Sequence, residues 1–234
     1  MKFRNGYWLL QAGVEEYPAA QVYDYRFRDA VLTLYYTVRR TEYRNETVNA
    51  PLLTMEMCAV GPNVLSIRAY HHKGGRGNKP VFERTAVQQE ATVEEQENAL
   101  VFRAGRMSAR IQKKPFHIWY YEGIRLLTES EGKSLAYLTM PDGTHRMKEE
   151  LSLAVGELIY GLGERFTPFV KNGQSVDLVH EDGGTASEQA YKNIPFYMSS
   201  QGYGVWMDTP APVSLEIASE KVERVQFSVA GEEI

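Results

Sequence analysis

The sequence predicts an all-β protein of antiparallel sheets packed face to face, and three observations carry that prediction. Apolar residues recur with a period of two, as in the β-branched and aromatic run Val31-Leu32-Thr33-Leu34-Tyr35-Tyr36-Thr37-Val38. Short runs of this kind end repeatedly at Gly, Pro, Asn or Asp, the residues that turns select. No segment carries a long apolar stripe at helical spacing.

The elements follow in chain order. Leu52 to Val60 and Val64 to Ala69 make a hairpin across Gly61-Pro62-Asn63. Ala99 to Phe102 and Met107 to Ile111 meet at Gly105-Arg106, and Phe116 to Tyr121 and Ile124 to Leu127 at Glu122-Gly123. Leu135 to Met140 runs into the turn Pro141-Asp142-Gly143. Phe196 to Ser199 and Gly204 to Met207 flank Gln201-Gly202, and Val213 to Ile217 and Val225 to Val229 complete the set. A dozen or more strands with no interleaved helices favour a sandwich over a barrel. Composition shifts nowhere enough to mark a linker, and Lys73 to Pro80 is only a loop's length, so residues 1–234 read as one domain.

Composition excludes several function classes. Lys and Arg number 26 against 30 Asp and Glu, a net charge of -4, which argues against a general binder of nucleic acid or anionic membrane. Cys58 is the single cysteine, so neither an intrachain disulfide nor a Cys-based zinc site can form, and its strand setting predicts a buried, inert thiol. The apolar stretch at Trp8-Leu9-Leu10 stops before a signal-peptide core, and no run approaches the ~18 apolar residues of a membrane span. A cytoplasmic protein without membrane or nucleic-acid partners is the expectation.

Few residues suggest chemistry. Gly161-Leu162-Gly163-Glu164-Arg165-Phe166 lacks the third glycine and the strand-to-helix setting of a dinucleotide site. His71 and His72 point to opposite faces of any strand, and His117 and His145 have no evident partner. His180-Glu181-Asp182 is the best of the metal-like groupings, yet three consecutive side chains rarely converge, so no metal or other cofactor is expected. Cleavage of a glycosidic bond needs two flanking carboxyl groups, and Glu164, Glu181, Asp182 and Glu188 are the available cluster. The acidic loop Val179 to Thr185 carries Gly183-Gly184, which allow close backbone approach to a ligand. Phe166, Phe169, Tyr191, Phe196, Tyr197, Tyr203 and Trp206 crowd the last third; aromatic faces suit a pyranose, but most of these rings are expected to fill the core.

The run from Gly156 to Phe166, with Asn172-Gly173-Gln174, Asp182-Gly183-Gly184-Thr185 and Glu188 to Tyr197, resembles the N-terminal domain of glycoside hydrolase family 31, nearest its bacterial α-xylosidases. Weaker likeness at Gly6 to Leu10, Pro51 to Thr54 and Gly105 to Arg110 extends it over nearly the whole chain.

The resemblance implies a galactose mutarotase-like supersandwich that precedes a catalytic (β/α)8 barrel. In that family both catalytic carboxylates are barrel aspartates, so the chain is expected to be truncated before the barrel and to hold no catalytic residue. The parent reaction would be retaining hydrolysis of terminal α-xylosyl bonds. Asp182 matches the aspartate of the loop that reaches the family's substrate site, so Asp182, Glu181 and His180 are the expected substrate-binding residues. Val179-His180 stand where the family usually has Trp-Asn. Glu164, in the Gly-Leu-Gly-Glu motif, is a weaker fourth whose family duty is to hold a turn against neighbouring backbone. The implied partners are an α-xyloside or related oligosaccharide and the missing barrel. A face exposed by the barrel's absence would favour homo-oligomers. The alternatives are an independent carbohydrate-binding module and a mutarotase-like aldose epimerase, which would need a His and a Glu such as His180 and Glu164.

Overall fold

The computed structural model describes residues 1–6, 9–73, 89–181 and 189–234. Among them it contains strands and one 3-10 turn at Arg44–Thr47, with no α-helix, and no helix long and apolar enough to cross a membrane. All strand pairings are antiparallel.

Two meanders reproduce the hairpins expected from sequence. A four-stranded sheet runs Gln21–Arg28, Val31–Thr37, Leu52–Gly61, Val64–Tyr70. A five-stranded sheet runs Thr92–Gln96, Ala99–Ala104, Met107–Gln112, His117–Glu122, Arg125–Ser130. Its turns place Gly105 and Gly123 at φ 59°, a left-handed conformation that glycine adopts without strain. A six-stranded sheet joins distant segments in the order Gln174–Leu178, Val213–Ile217, Arg224–Ala230, His145–Ser152, Ala136–Thr139, Glu15–Pro18. A three-stranded sheet is formed by Ile159–Gly161, Phe196–Ser199 and Gly204–Trp206.

These four sheets feed one core, and a fifth, two-stranded sheet pairs Arg4–Asn5 with Leu9–Leu10. Leu34 and Met55, Phe102 and Ile118, Met147 and Phe227, and Ile159 and Tyr197 belong to the same buried cluster. Alternation along each strand aims these residues inward, and removing such area from water is the dominant stabilising effect. Tyr36 meets Phe116 edge-on at 5.2 Å inside it.

The opposite face of the six-stranded sheet is polar and covered by the N-terminal residues. Lys148 is 0% exposed there. Its ammonium pairs with Glu16 and, at 2.8 Å, with Glu150, which also accepts from Arg4 at 3.3 Å and Lys221 at 2.6 Å. Buried charges persist only when paired in this way. A small apolar cluster of Met1, Phe3, Val14 and Leu138 lies beside the network.

Several strands were not expected from sequence: Glu15–Pro18, Gln21–Arg28, Thr92–Gln96, His145–Ser152, Ile159–Gly161 and Gln174–Leu178. Most are rich in charged or polar residues. His145–Ser152 is the clearest case, since its charged positions are buried in the ionic network rather than solvated. Cys58, expected to be buried, is half-buried on Leu52–Gly61.

Candidate functional site

The glycines of Gly161-Leu162-Gly163 let two stretches of backbone touch. A Cβ on Gly161 would sit 2.7 Å from the Phe196 carbonyl oxygen, and one on Gly163 2.2 Å from that of Lys192. Both glycines have positive φ, 112° and 92°. The close approach allows the Leu162 N–H to donate to Phe196 O at 2.9 Å and the Glu164 N–H to Lys192 O at 3.0 Å. The motif is therefore a docking joint between 161–164 and 192–197.

Arg165 and Asn193 extend that joint to the acidic loop. The Arg165 guanidinium donates to Leu162 O at 3.1 Å, to Asp177 O at 3.0 Å and to the Asn193 side-chain oxygen. The Asn193 amide nitrogen donates to Val179 O at 2.9 Å and Ala190 O at 2.7 Å. His180 and Ala190 form an isolated parallel bridge, Glu181 N–H donates to Ala190 O at 3.2 Å, and the His180 ring Nδ1 lies 2.9 Å from Tyr191 O. Gln189 Nε2 donates to a Glu181 carboxylate oxygen at 2.8 Å. The two flanks of residues 182–188 are thus fastened to each other, and Asn193 is the clamp.

The structure brings His180 and Glu181 together at this base. Asp182 and Glu188 lie outside the described residues, as does most of the Lys73 to Pro80 stretch. Glu164 joins the site through its main chain; its exposed carboxylate accepts from Lys192 Nζ at 2.6 Å, and that contact raises the Lys192 pKa. The turn is held by the Glu164 N–H, and the side chain that sequence reasoning selected is free to face outward. Arg165 and Asn193 fall within the runs that carry the family resemblance, which gives neither a role. Their signal is the glycine pair itself, because two backbones in contact leave carbonyls that only neighbouring donors can satisfy.

A groove of about 450 Å³ borders the clamp, lined among others by His180, Asn193, Phe196, Trp206 and Thr209. Here the expectation that most of the aromatic cluster is core fails. Tyr197 is fully buried, but Phe169 is 78% exposed, Trp206 54%, and Phe166 and Tyr191 are also exposed. For Trp206 the cause is the register of the three-stranded sheet, which pairs Phe196 with Trp206 and Met198 with both Tyr160 and Gly204, while Phe166, Phe169 and Tyr191 lie outside its strands. Tyr197 and Ser199 point into the core while Phe196, Met198, Trp206 and Tyr160 share the outward face. Phe169 leans on Tyr160 at 5.2 Å, and the Phe196 ring lies across Gly204, where a Cβ would approach it to 2.6 Å. A sheet apolar on both faces calls for a covering partner on the second.

The sequence pattern described as the glycosyl hydrolase 31 N-terminal galactose mutarotase-like domain matches residues 54–216. The chain belongs to that family. This family 31 domain is 37% identical over 236 residues to the α-xylosidase XylQ of Lactiplantibacillus pentosus, a match spanning 100% of this chain and 31% of the relative. It is 38% identical over 258 residues to an α-xylosidase of Emericella nidulans, covering 100% of this chain and 33% of that protein. The chain thus spans about a third of the length of these curated relatives. Among solved structures, a cycloalternan-forming enzyme from Listeria monocytogenes superposes with TM-score 0.77 at 18% identity, over 93% of this chain and 20% of the other. A family 31 α-xylosidase from a soil metagenome, complexed with xylose, gives 0.68 at 17% identity, over 90% and 31%. These likenesses show the shared fold of the family 31 domain.

Proposed function

We propose that this domain is the non-catalytic N-terminal sandwich of an α-xylosidase-like glycosidase, placing residues 182–188 at a substrate site whose catalytic aspartates belong to a following (β/α)8 barrel. The observation that carries this reading is the clamp. Asn193 and Arg165 spend several hydrogen bonds fixing the two ends of one acidic loop beside a groove with an exposed indole, a construction that favours a ligand-facing loop over a solvated turn. The outward apolar face of Tyr160, Phe196, Met198 and Trp206 supports the barrel as its cover.

In this reading the barrel performs retaining hydrolysis of a terminal α-xylosyl bond, and the Asp182 carboxylate accepts hydrogen bonds from hydroxyls of the leaving-group sugar. Glu181 and His180 orient the loop from its base. Asp182→Ala in the barrel-containing enzyme is expected to lower kcat/KM for an α-xylosyl disaccharide by about 10–100-fold, the size of a lost charge-assisted hydrogen bond. For α-xylosyl fluoride, which has no leaving-group sugar, the loss should stay under ~3-fold. Equal losses on both substrates remove Asp182 from the leaving-group side.

The exposed rings of Trp206 and Tyr191 also suit an independent carbohydrate-binding module. Calorimetric titration of the isolated chain with xylo- and gluco-oligosaccharides separates the two, since saturable binding favours the module. The epimerase alternative has less support. His180 and Glu164 are engaged by different partners, Tyr191 O and Lys192 Nζ.

A further inference from the structure

The outer face of the five-stranded sheet carries a side-chain grouping that the proposed function does not use. His117 and Trp119 point outward from His117–Glu122, while Ile118 and Tyr120 point into the core. The next strand pairs Ile118 with Ser130 and Trp119 with Glu129. Continuing that register by one residue sets Glu131 opposite His117, so His117, Glu129 and Glu131 share one face of a two-stranded ribbon. One ligand atom from each lies within 4.8 Å of the others, and His117 Nε2 is already 2.9 Å from a Glu129 carboxylate oxygen. All three are half-buried.

We propose that His117, Glu129 and Glu131 form a binding site for a divalent transition cation of the Zn2+ type. The donor set is one imidazole nitrogen and two carboxylates, which suits zinc and its neighbours better than calcium or magnesium, both of which demand oxygen ligands alone. Donors held at ~2.0–2.2 Å from a tetrahedral ion stand about 3.3 Å apart, a contraction that side-chain rotation supplies from the present spacing. Neighbouring groups shape the affinity. Arg224 Nη2 holds Glu131 Oε2 at 2.5 Å, leaving the second carboxylate oxygen for the ion, and its positive charge moderates binding. The His117 ring stacks on Trp119 at 3.7 Å, which fixes the imidazole plane. Arg110 lies over the other ring of that stack, 5.1 Å from the Trp119 centroid. Through Glu131 and Arg224 the ion would tie the five-stranded sheet to the six-stranded one.

The test is titration of the metal-free 234-residue chain with ZnCl2, followed by calorimetry and by competition with a chromophoric chelator, together with thermal melts. The expected result is one Zn2+ per chain, a raised Tm at saturation, and no competition from equimolar CaCl2 or MgCl2. His117→Ala and Glu129→Gln should each weaken binding at least tenfold and abolish the rise in Tm. Glu129→Gln preserves a hydrogen-bonding partner for His117, so it reports on the metal even where the alanine variant folds poorly. Replacing both His71 and His145, which surround Glu232 elsewhere, should leave binding unchanged. Failure of the folded chain to take up stoichiometric Zn2+, equal binding of Ca2+, or undiminished binding by Glu129→Gln would each overturn the proposal.

Discussion

Adjacent carboxylates on His145–Ser152 face opposite sides of one sheet and respond to pH in opposite directions. Glu149 points toward the core between Met147 and Leu151, accepts from Ser130 at 2.5 Å, and burial raises its pKa to about 7. Burial also opposes the charge of Glu150, but Lys148 and Lys221 outweigh it and hold Glu150 at about 2. For Glu149 the folded state keeps a proton that the unfolded chain has lost, so stability falls as pH rises from about 4.5 to about 7 and then levels. The Glu150 contribution is present above about 4.5 and is lost as pH falls toward 2. Part of the Glu149 side chain reaches solvent, so Glu149→Gln is expected to gain about 1–2 kcal/mol at pH 8 and nothing at pH 4. Urea denaturation at the two pH values measures the difference, and an equal change at both contradicts the assignment. At Gly163 the argument is steric. Gly163→Ala drives a Cβ into Lys192 O at a positive φ and should cost about 2–4 kcal/mol, whereas Gly132→Ala, with open space around it, should be near neutral by the same urea denaturation.

At the scale of elements, the clamp is the feature with consequences for the loop. Asn193→Ala removes the donors to Val179 O and Ala190 O, worth about 1 kcal/mol each, so the Glu181 N–H bonded to Ala190 O should exchange with solvent at least about tenfold faster. Amides of the core strand Val31–Thr37 should be unaffected. Unchanged exchange at Glu181 would mean the bridge holds without Asn193.

Elements of this kind show what was legible beforehand. The inner hairpins of the meanders were, because Gly105, Gly123 and Asn63 punctuate clear period-two runs and register follows from tight turns, whereas the polar edge strands Gln21–Arg28 and Thr92–Gln96 were not. His145–Ser152 was not, because a strand that buries ion pairs on one face reads as a polar segment until its distant partners Arg4, Glu16 and Lys221 are in place. Two strands of the three-stranded sheet, Phe196–Ser199 and Gly204–Trp206, are legible in the sequence, but the face they turn to the core is not. Alternation tells which residues share a face, and Phe196 and Trp206 do, yet both faces are apolar and pattern alone does not say which one is core. His180 and Glu181 stand out as neighbours of Asp182 in the loop that carries the family resemblance, while the clamp depends on carbonyl positions that only the folded backbone defines.

On the scale of the whole molecule, the described residues share a buried core and leave an apolar surface uncovered. The outward face of the three-stranded sheet leaves Met198 and Trp206 exposed, and isolated chains are expected to associate through it. Met198→Lys should shift a concentration-dependent light-scattering mass toward that of the monomer without lowering Tm, since the side chain is already outside the core. Association that survives the substitution would place the contact elsewhere. We propose that this sandwich shapes a substrate site and leaves bond cleavage to another domain. Release of p-nitrophenol from p-nitrophenyl α-xyloside tests it most directly, comparing the purified 234-residue chain with a polypeptide in which the same sequence is followed by a family 31 barrel. Turnover by the longer polypeptide alone is the predicted result, and turnover by the 234-residue chain itself would contradict the account.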